Sequence, residues 1–257
     1  MYKRQRLGDS AKQRDVLERA LSIFERAYDR DHLDVAITLM NLGSAYYSLG
    51  AYAKARDVLE RALPIYEREY GSDHAEVADV LNSLGIAYGD LGDHAKKRDM
   101  LERALAIQER TYGRDHAEVA ITLSNLGFAY NALDEPAKAR EGLERALAIQ
   151  ERAYGRDHTE VAKTLTNLGV AYGDLSDQAK KRDMLERALA IDERAYGRDH
   201  VNTVNTLTNL GKAYGKLGDH ARHRDMLERV LAIKEKAYGP DHPSTERSRE
   251  RLAKLAS

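Results

Sequence analysis

Cysteine and tryptophan are absent from the 257-residue sequence, and proline is scarce, with only 4 residues. The lack of cysteine excludes disulfides, thiolate metal sites and cysteine nucleophiles, and it suits a reducing compartment, so we expect a cytoplasmic protein. The formal net charge is −1, which leaves no overall field to attract nucleic acid or an anionic membrane. The N-terminal segment is polar and basic with no apolar stretch behind it. The sequence therefore predicts neither a signal peptide nor a membrane span.

The dominant feature of the sequence is a long internal repeat. The dipeptide Asp-His occurs at residues 31–32, 73–74, 115–116, 157–158, 199–200 and 241–242, with a constant interval of 42 residues. This interval predicts a single repeat array over residues 1–257, with a partial repeat at 1–30 and a C-terminal capping helix at 241–257. The five full repeats are 31–72, 73–114, 115–156, 157–198 and 199–240.

Each repeat has the pattern of two helices, which residues 115–156 illustrate. Asp115 is predicted to cap the first helix and Glu118 to complete a capping box, and apolar residues follow at helical spacing. Pro136 suits the first turn of the second helix, and Gly155 suits the left-handed position that ends it. One such hairpin cannot bury its own apolar face, so neighbouring hairpins must stack on each other.

Small and apolar residues within the repeat carry a family resemblance. The spacing of the tetratricopeptide signature is matched, with Leu in place of its usual first Trp, by Leu39, Leu42, Gly43, Tyr46, Ala55, Leu59 and Ala62. The 42-residue period and the string Tyr-Gly-Arg-Asp-His resemble the longer repeat of kinesin light chain and its bacterial relatives. The resemblance implies an all-α, right-handed superhelical solenoid of antiparallel helical hairpins with about twelve helices. It also implies a concave groove that binds a protein or peptide.

The repeated Asp-His pairs suggest metal binding or catalysis, but we favour a structural role in which Asp caps the helix and His lies in its first turn. Successive His residues are one repeat apart, too far to share a metal at bond lengths of about 2 Å. No nucleophile recurs beside them, and no Walker or dinucleotide motif is present. We expect His94, His220 and His223 to be solvated, although the last two could chelate a metal adventitiously. We predict no enzyme activity, no cofactor, no metal and no nucleic-acid partner.

Positions that line the groove in the family form the candidate binding site. The residue before the Leu-Gly pair is an asparagine at Asn41, Asn125, Asn167 and Asn209. A primary amide donates and accepts hydrogen bonds, so this row could bind a peptide backbone, and the alternative is a hydrogen bond within the stack. One turn further on stand Ile86, Phe128, Val170 and Lys212, with Lys163 nearby. We expect a groove that suits a peptide with an apolar anchor and acidic residues.

The N-terminal helix, predicted from about Ser10 to Tyr28, corresponds to a second helix without its first helix. Leu17, Ala20 and Leu21 would pack on that helix, so they are predicted to be bare, and Phe24 adds to them because the equivalent residues in four other repeats are polar. A bare apolar face predicts self-association, most simply as a two-fold homodimer.

The favoured function is a non-catalytic scaffold that binds a protein or peptide in its groove. Two alternatives remain open at the level of sequence. One is a self-assembling structural array, and the other is a sensor arm excised from a larger signalling ATPase, because a catalytic domain would lie outside this chain.

Overall fold

The structure is a computed structural model that describes residues 2–255, with side chains described for residues 9–255. Twelve α-helices make up this part of the chain: α1 (Tyr2–Ala27), α2 (Leu33–Ser48), α3 (Tyr52–Tyr70), α4 (Ala75–Asp90), α5 (His94–Tyr112), α6 (Ala117–Ala132), α7 (Pro136–Tyr154), α8 (Thr159–Asp174), α9 (Gln178–Tyr196), α10 (Val204–Lys216), α11 (His220–Tyr238) and α12 (Pro243–Ala253). A short 3₁₀ turn, Val201–Thr203, precedes α10. The predicted all-α repeat fold is confirmed.

The chain divides into two compact units, residues 1–133 with α1–α6 and residues 134–257 with α7–α12. The division falls inside the repeat predicted at 115–156, between its two helices. Within each unit a second helix contacts the first helix of its own hairpin and also the first helix of the next hairpin, as α3 does with α2 and α4, and α9 with α8 and α10. This double contact buries the apolar faces that a single hairpin would leave exposed.

Glycine within the first helices allows the two helices of a hairpin to approach closely. A Cβ atom added to Gly85 would lie 2.9 Å from Cγ of Leu101, and one added to Gly169 would lie 3.0 Å from Cγ of Leu185. Both leucines are fully buried. A side chain larger than hydrogen would therefore force the second helix away from the first.

Histidine, and not aspartate, caps the first helices. In the fourth repeat, Nδ1 of His158 accepts a hydrogen bond of 3.2 Å from the backbone N–H of Glu160. The same cap occurs at His32, His74, His116, His200 and His242. Asp157 instead forms an ion pair of 2.7 Å with Arg194, and the His158 ring packs on Tyr154 with 4.9 Å between ring centroids. The Tyr-Gly-Arg-Asp-His string is therefore a junction between successive helices.

The capping box predicted for Asp115 and Glu118 is consequently wrong. Because His116 is the N-cap, Glu118 is only the second residue of the helix, and a capping box needs its acidic residue at the third. What Glu118 contributes is its backbone N–H, which donates to Nδ1 of His116 at 3.3 Å. The predicted helix boundary was one residue early.

Polar pairs are buried between neighbouring hairpins at positions that the sequence suggested were exposed. The Thr122 hydroxyl donates to Oε1 of Gln108 at 2.7 Å, and Gln108 is only 1% exposed. The Thr206 hydroxyl donates to Oδ2 of Asp192 at 3.1 Å in the second unit. Phe24, which occupies the equivalent position in the partial repeat at residues 1–30, is half-buried against the core of the first unit. A polar residue at this position thus signals a buried hydrogen bond and not a solvated surface.

Tyrosines of the first helices donate a hydrogen bond to a glutamate of the preceding second helix in each of the five full repeats. The Tyr172 hydroxyl donates to Oε1 of Glu144 at 2.5 Å, and the Tyr214 hydroxyl donates to Oε1 of Glu186 at 2.6 Å. The first unit has the same bond at Tyr46, Tyr88 and Tyr130. Burial and the neighbouring glutamate raise the pKa of Tyr172 to about 12. The phenol therefore remains a protonated donor at neutral pH.

The histidine cap can be tested at His158. We expect His158→Ala to lower the free energy of unfolding by about 1 kcal/mol, because the backbone N–H of Glu160 loses its acceptor. His158→Asn restores an acceptor but removes the ring that packs on Tyr154, so it should recover most of that loss. Urea denaturation followed by far-UV circular dichroism measures both changes. An alanine variant as stable as the wild type would contradict the capping role.

Asp192 offers a pH-dependent test of the buried polar pairs. Burial raises its pKa, while the Thr206 hydroxyl and the charge of Lys163 oppose that change. A raised folded-state pKa means that the stability this group contributes is present below the unfolded pKa and is lost as pH rises through the folded pKa. Asp192→Asn should therefore stabilise the protein at neutral pH, where the aspartate would otherwise be buried as a charge. In urea denaturation the gain should shrink towards acidic pH, and a gain independent of pH would exclude this cause.

Candidate functional site

Successive first helices lie side by side and present one common surface in each unit. In the first unit α2 contacts α4 and α4 contacts α6, and in the second unit α8 contacts α10. We define the first-helix face by the asparagine position, the position three residues later and the position seven residues later, which share one side of a helix. Its residues are Asn41, Ser44, Ser48, Ser83, Ile86, Asp90, Asn125, Phe128 and Ala132 in the first unit, and Asn167, Val170, Asp174, Asn209, Lys212 and Lys216 in the second.

The predicted asparagine row lies on this face. Asn41 is exposed, and Asn125, Asn167 and Asn209 are half-buried. Nδ2 of Asn209 donates to Oδ1 of Asn205 at 3.3 Å within the same helix. Among the described residues, the side chains of Asn41 and Asn125 form no hydrogen bond. At these two positions the alternative of a hydrogen bond within the stack does not apply.

The first unit has a small apolar pocket on the first-helix face. Its volume is about 200 Å³, and Ser44, Tyr47, Leu59, Ser83 and Ile86 are among the residues that line it. Ile86, predicted as a groove residue, therefore forms part of a concave surface between α2 and α4. Burial and a hydrogen bond with Asp90 raise the pKa of Tyr47, which keeps its hydroxyl protonated at the edge of the pocket.

Phe128 is the aromatic residue among those that define the first-helix face. Its exposed fraction is 44%. Nζ of Lys97 lies 4.5 Å from the centre of its ring, and the ring of His94 meets it edge-on at 5.9 Å. These two contacts come from α5, so Phe128 is supported from within the first unit while the rest of its ring remains free to contact a ligand.

Lysine and histidine side chains of the second helices reach the first-helix face through gaps left by glycine. Lys97 is only 7% exposed, and a Cβ on Gly89 would lie 2.6 Å from Cδ of Lys97. Lys181 passes Gly173 in the same way, and His223 passes Gly215. Burial lowers the pKa of Lys97, and Asp90 partly opposes this effect. These residues were not predicted as part of the site.

The residues predicted to make the groove basic have different surroundings. Lys163 forms an ion pair of 2.6 Å with Glu160, so its charge is balanced locally. Lys212 lines a larger pocket of about 560 Å³ in the second unit, together with Lys181, Lys216, His220 and His223. His223 is half-buried, and Nδ1 of His94 is buried without a hydrogen-bond partner among the described residues. The expectation that His94 and His223 are solvated is wrong.

The predicted self-association residues are not bare. Leu17, Ala20, Leu21 and Phe24 are all half-buried, and Leu17 and Leu21 pack against a cluster that contains Leu42. Among the described side chains of α1, the large apolar ones that are exposed are Val16 at 64% and Ile23 at 61%. The apolar surface of this helix is therefore displaced from the residues that the sequence indicated.

Within residues 2–255 no group of three or more His, Cys, Asp or Glu side chains is arranged to hold a metal ion. None of the described helices is long and apolar enough to cross a membrane.

Comparison with known families identifies the repeat. The family model for the tetratricopeptide repeat matches residues 4–68, 41–110, 94–141, 118–193 and 182–236. The chain belongs to the tetratricopeptide repeat family. This family has the fold of a repeat scaffold for protein interaction, and its members are typically non-catalytic.

Solved structures of other tetratricopeptide repeat proteins share this fold. BtubC (BKLC) from P. vanneervenii is 22% identical, with a TM-score of 0.68 over 95% of this chain and 94% of that one. A putative kinesin light chain from Podosopora anserina with nearly identical repeats is 25% identical, with a TM-score of 0.64 over 80% of this chain and 98% of that one. A MamA protein is 19% identical, with a TM-score of 0.53 over 79% and 94%. A sequence comparison with curated proteins returns no match.

One signal in the tetratricopeptide repeats could have revealed the lysines that sequence reasoning missed. Gly89, Gly173 and Gly215 occupy one position of the repeat, and eight residues later stand Lys97, Lys181 and His223. In the other two repeats the first position holds Tyr47 or Asn131, and the second holds Ala55 or Ala139. A glycine at the first position is therefore paired with a long side chain at the second, and a larger residue at the first is paired with alanine. This matched change of size indicates that the two positions are in contact.

Proposed function

We propose that this tetratricopeptide repeat protein is a non-catalytic scaffold that binds an extended peptide on its first-helix face. The observation that carries the proposal is Phe128, an aromatic side chain 44% exposed beside the amide of Asn125. A large exposed aromatic group that is held rigidly by its neighbours is a typical anchor for a ligand. The amide beside it can donate to and accept from a peptide backbone at once.

The second unit supports the proposal through a different set of side chains. Val170 is half-buried on α8, and the half-buried amides of Asn167 and Asn209 repeat the pattern of the first unit. The pocket beside Lys212 adds positive charge. A peptide with an apolar anchor and acidic residues complements these features.

The peptide site can be tested with binders selected from a random peptide library. Phe128→Ala and Asn125→Ala should each weaken a binder of the first unit by about 1–3 kcal/mol, because each removes a contact at the centre of the site. Asn167→Ala should have the same effect on a binder of the second unit. Fluorescence anisotropy measures the affinities, and circular dichroism should show unchanged helicity.

Val16→Ala is the matched control for the loss of an exposed apolar side chain, since Val16 is 64% exposed and lies on α1 outside the first-helix face. It should leave peptide affinity unchanged. A set of independent binders that tolerate Phe128→Ala, Asn125→Ala and Asn167→Ala would place the binding surface elsewhere.

A second function, self-association through α1, is favoured by one observation. Ile23 is 61% exposed, whereas the equivalent residues of the five later second helices, Ile65, Ile107, Ile149, Ile191 and Ile233, are at most 4% exposed. With Val16, which lies two helical turns away, Ile23 forms an apolar strip on α1. A second copy of α1 would cover this strip in a two-fold dimer.

Light scattering coupled to size-exclusion chromatography tests the dimer. The wild-type chain should become dimeric as concentration rises into the high micromolar range. Val16→Glu/Ile23→Glu should remain monomeric, because two carboxylates would have to be buried in the interface. Gln13→Glu/Ser22→Glu changes the charge equally at exposed polar positions of α1, so it should still dimerise. A wild-type chain that stays monomeric would refute this candidate.

A further inference from the structure

The second unit contains a pocket with an excess of positive charge. The pocket has a volume of about 560 Å³ and lies among α8, α9, α10, α11 and Leu255. We call it the basic pocket, and its ionisable lining residues are Asp174, Lys181, Lys212, Lys216, His220 and His223. Three lysines and two histidines therefore face a single carboxylate.

The charges inside the basic pocket are not neutralised by the surrounding protein. Lys212 and Lys216 form no ion pair among the described residues. Just outside the pocket, by contrast, the basic side chain of Arg222 forms an ion pair of 3.3 Å with the carboxylate of Asp219. Burial lowers the pKa of Lys181, and the charges of Lys212 and Lys216 lower it further against the opposing effect of Asp174. These amines repel each other, and a bound anion would relieve that repulsion.

Two glycines hold the basic groups in place at the pocket wall. Lys181 crosses α8 at Gly173, where a Cβ would lie 2.7 Å from its Nζ. His223 crosses α10 at Gly215, where a Cβ would lie 2.7 Å from its Nδ1. Both side chains are half-buried, so they lose little further freedom when a ligand binds.

The basic pocket departs from the pattern of the repeat. Lys212 and Lys216 occupy the positions of Val170 and Asp174 in the preceding hairpin. The fold therefore does not need lysine at either position. Lys212 and Lys216 both lie in the last two turns of α10 and line the same pocket. The two replacements therefore change the charge of that pocket together.

The charge of the basic pocket distinguishes between anions. The basic pocket is lined by the amines of three lysines, two imidazoles and one carboxylate. Lysines act as point charges, so several of them can surround one anion from different directions. A phosphomonoester carries a charge of about −1.5 to −2 at neutral pH and three acceptor oxygens. It balances three lysines and one aspartate better than a single carboxylate does.

We propose that the basic pocket binds a phosphomonoester dianion, presented by a phosphorylated serine or threonine of a peptide that lies on the first-helix face. The identity of the anion rests on the pocket itself, while the peptide as its source rests on the proposed function. Val170 and Asn209 flank the pocket residues on α8 and α10, so a peptide bound there would place a side chain within reach of Lys212.

The test uses the full chain and a variant that the repeat itself supplies. Lys212→Val/Lys216→Asp gives α10 the residues of α8 at these positions and should fold normally, as circular dichroism and the urea midpoint will show. Lys96→Ala, at an exposed lysine of the first unit, is the control. Peptide arrays carry random sequences with a central serine, phosphoserine or glutamate, and inorganic phosphate is titrated separately against chloride at constant ionic strength by NMR.

Phosphoserine peptides should bind at least about tenfold more tightly than the same peptides with serine or glutamate. Lys212→Val/Lys216→Asp should abolish this difference, and Lys96→Ala should preserve it. Inorganic phosphate should perturb amide signals around the pocket in the wild type but not in the double variant.

Other outcomes separate the two proposals. Equal affinity for serine, glutamate and phosphoserine peptides would overturn the phosphate assignment and leave peptide binding intact. Phosphate binding that depends on Lys212 and Lys216, without any peptide binder, would overturn the peptide as the source and the proposed function with it. If neither phosphate nor any phosphopeptide responds to the double variant, the pocket is not an anion site.

Discussion

The remaining features of this protein depend on one constraint, the packing of a second helix between two first helices, as for α3, α5, α9 and α11. In the second unit α9 contacts α8 of its own hairpin and α10 of the next, which leaves Leu185 and Ile191 at most 1% exposed. The first helices are covered further, since α4 contacts α2, α3, α5 and α6. The surface that they leave to solvent is the first-helix face, where one position differs in every full repeat, as Ser44, Ile86, Phe128, Val170 and Lys212. The same packing requires glycine at Gly85 and Gly169, where the helices touch.

Features that depend on the periodicity of residue types could be predicted from the sequence. Features that depend on which residue accepts or donates a particular hydrogen bond could not. The helices, their hairpins and the close approach at Gly85 follow from residue types that recur at fixed spacing. The cap could not be assigned in this way, because Asp115 and His116 are adjacent and recur equally, so only the backbone conformation shows that His116 accepts the bond. The burial of Gln108 could not be predicted for a related reason. A polar side chain is usually exposed, and the hydrogen-bond partner of Gln108, Thr122, lies 14 residues further along the chain.

The candidate site likewise contains residues that the sequence indicated and residues that it did not. The exposure of Asn41 and Phe128 agrees with the groove positions that the resemblance implied. The contribution of the second helices was not anticipated, because Lys97 and Lys181 reach the face only where a glycine leaves space for them. Each of these lysines is part of a second helix, but its side chain crosses the first helix and contributes to the surface of that helix. Sequence patterns within one helix cannot show this, but a matched change of residue size at two positions can.

Charge in this protein must be considered pocket by pocket. The net charge of −1 is a sum over residues that do not share an environment. In water with physiological salt, exposed charges influence each other over about 8 Å, so a distant acidic group does not neutralise a local cluster. Asp174 is the carboxylate that lines the basic pocket, beside the amines of Lys212 and Lys216. A composition near neutrality therefore excludes a field over the whole molecule but leaves room for a local anion site. Within the basic pocket partial burial makes this distinction stronger, because Lys181 is less screened there than an exposed lysine would be.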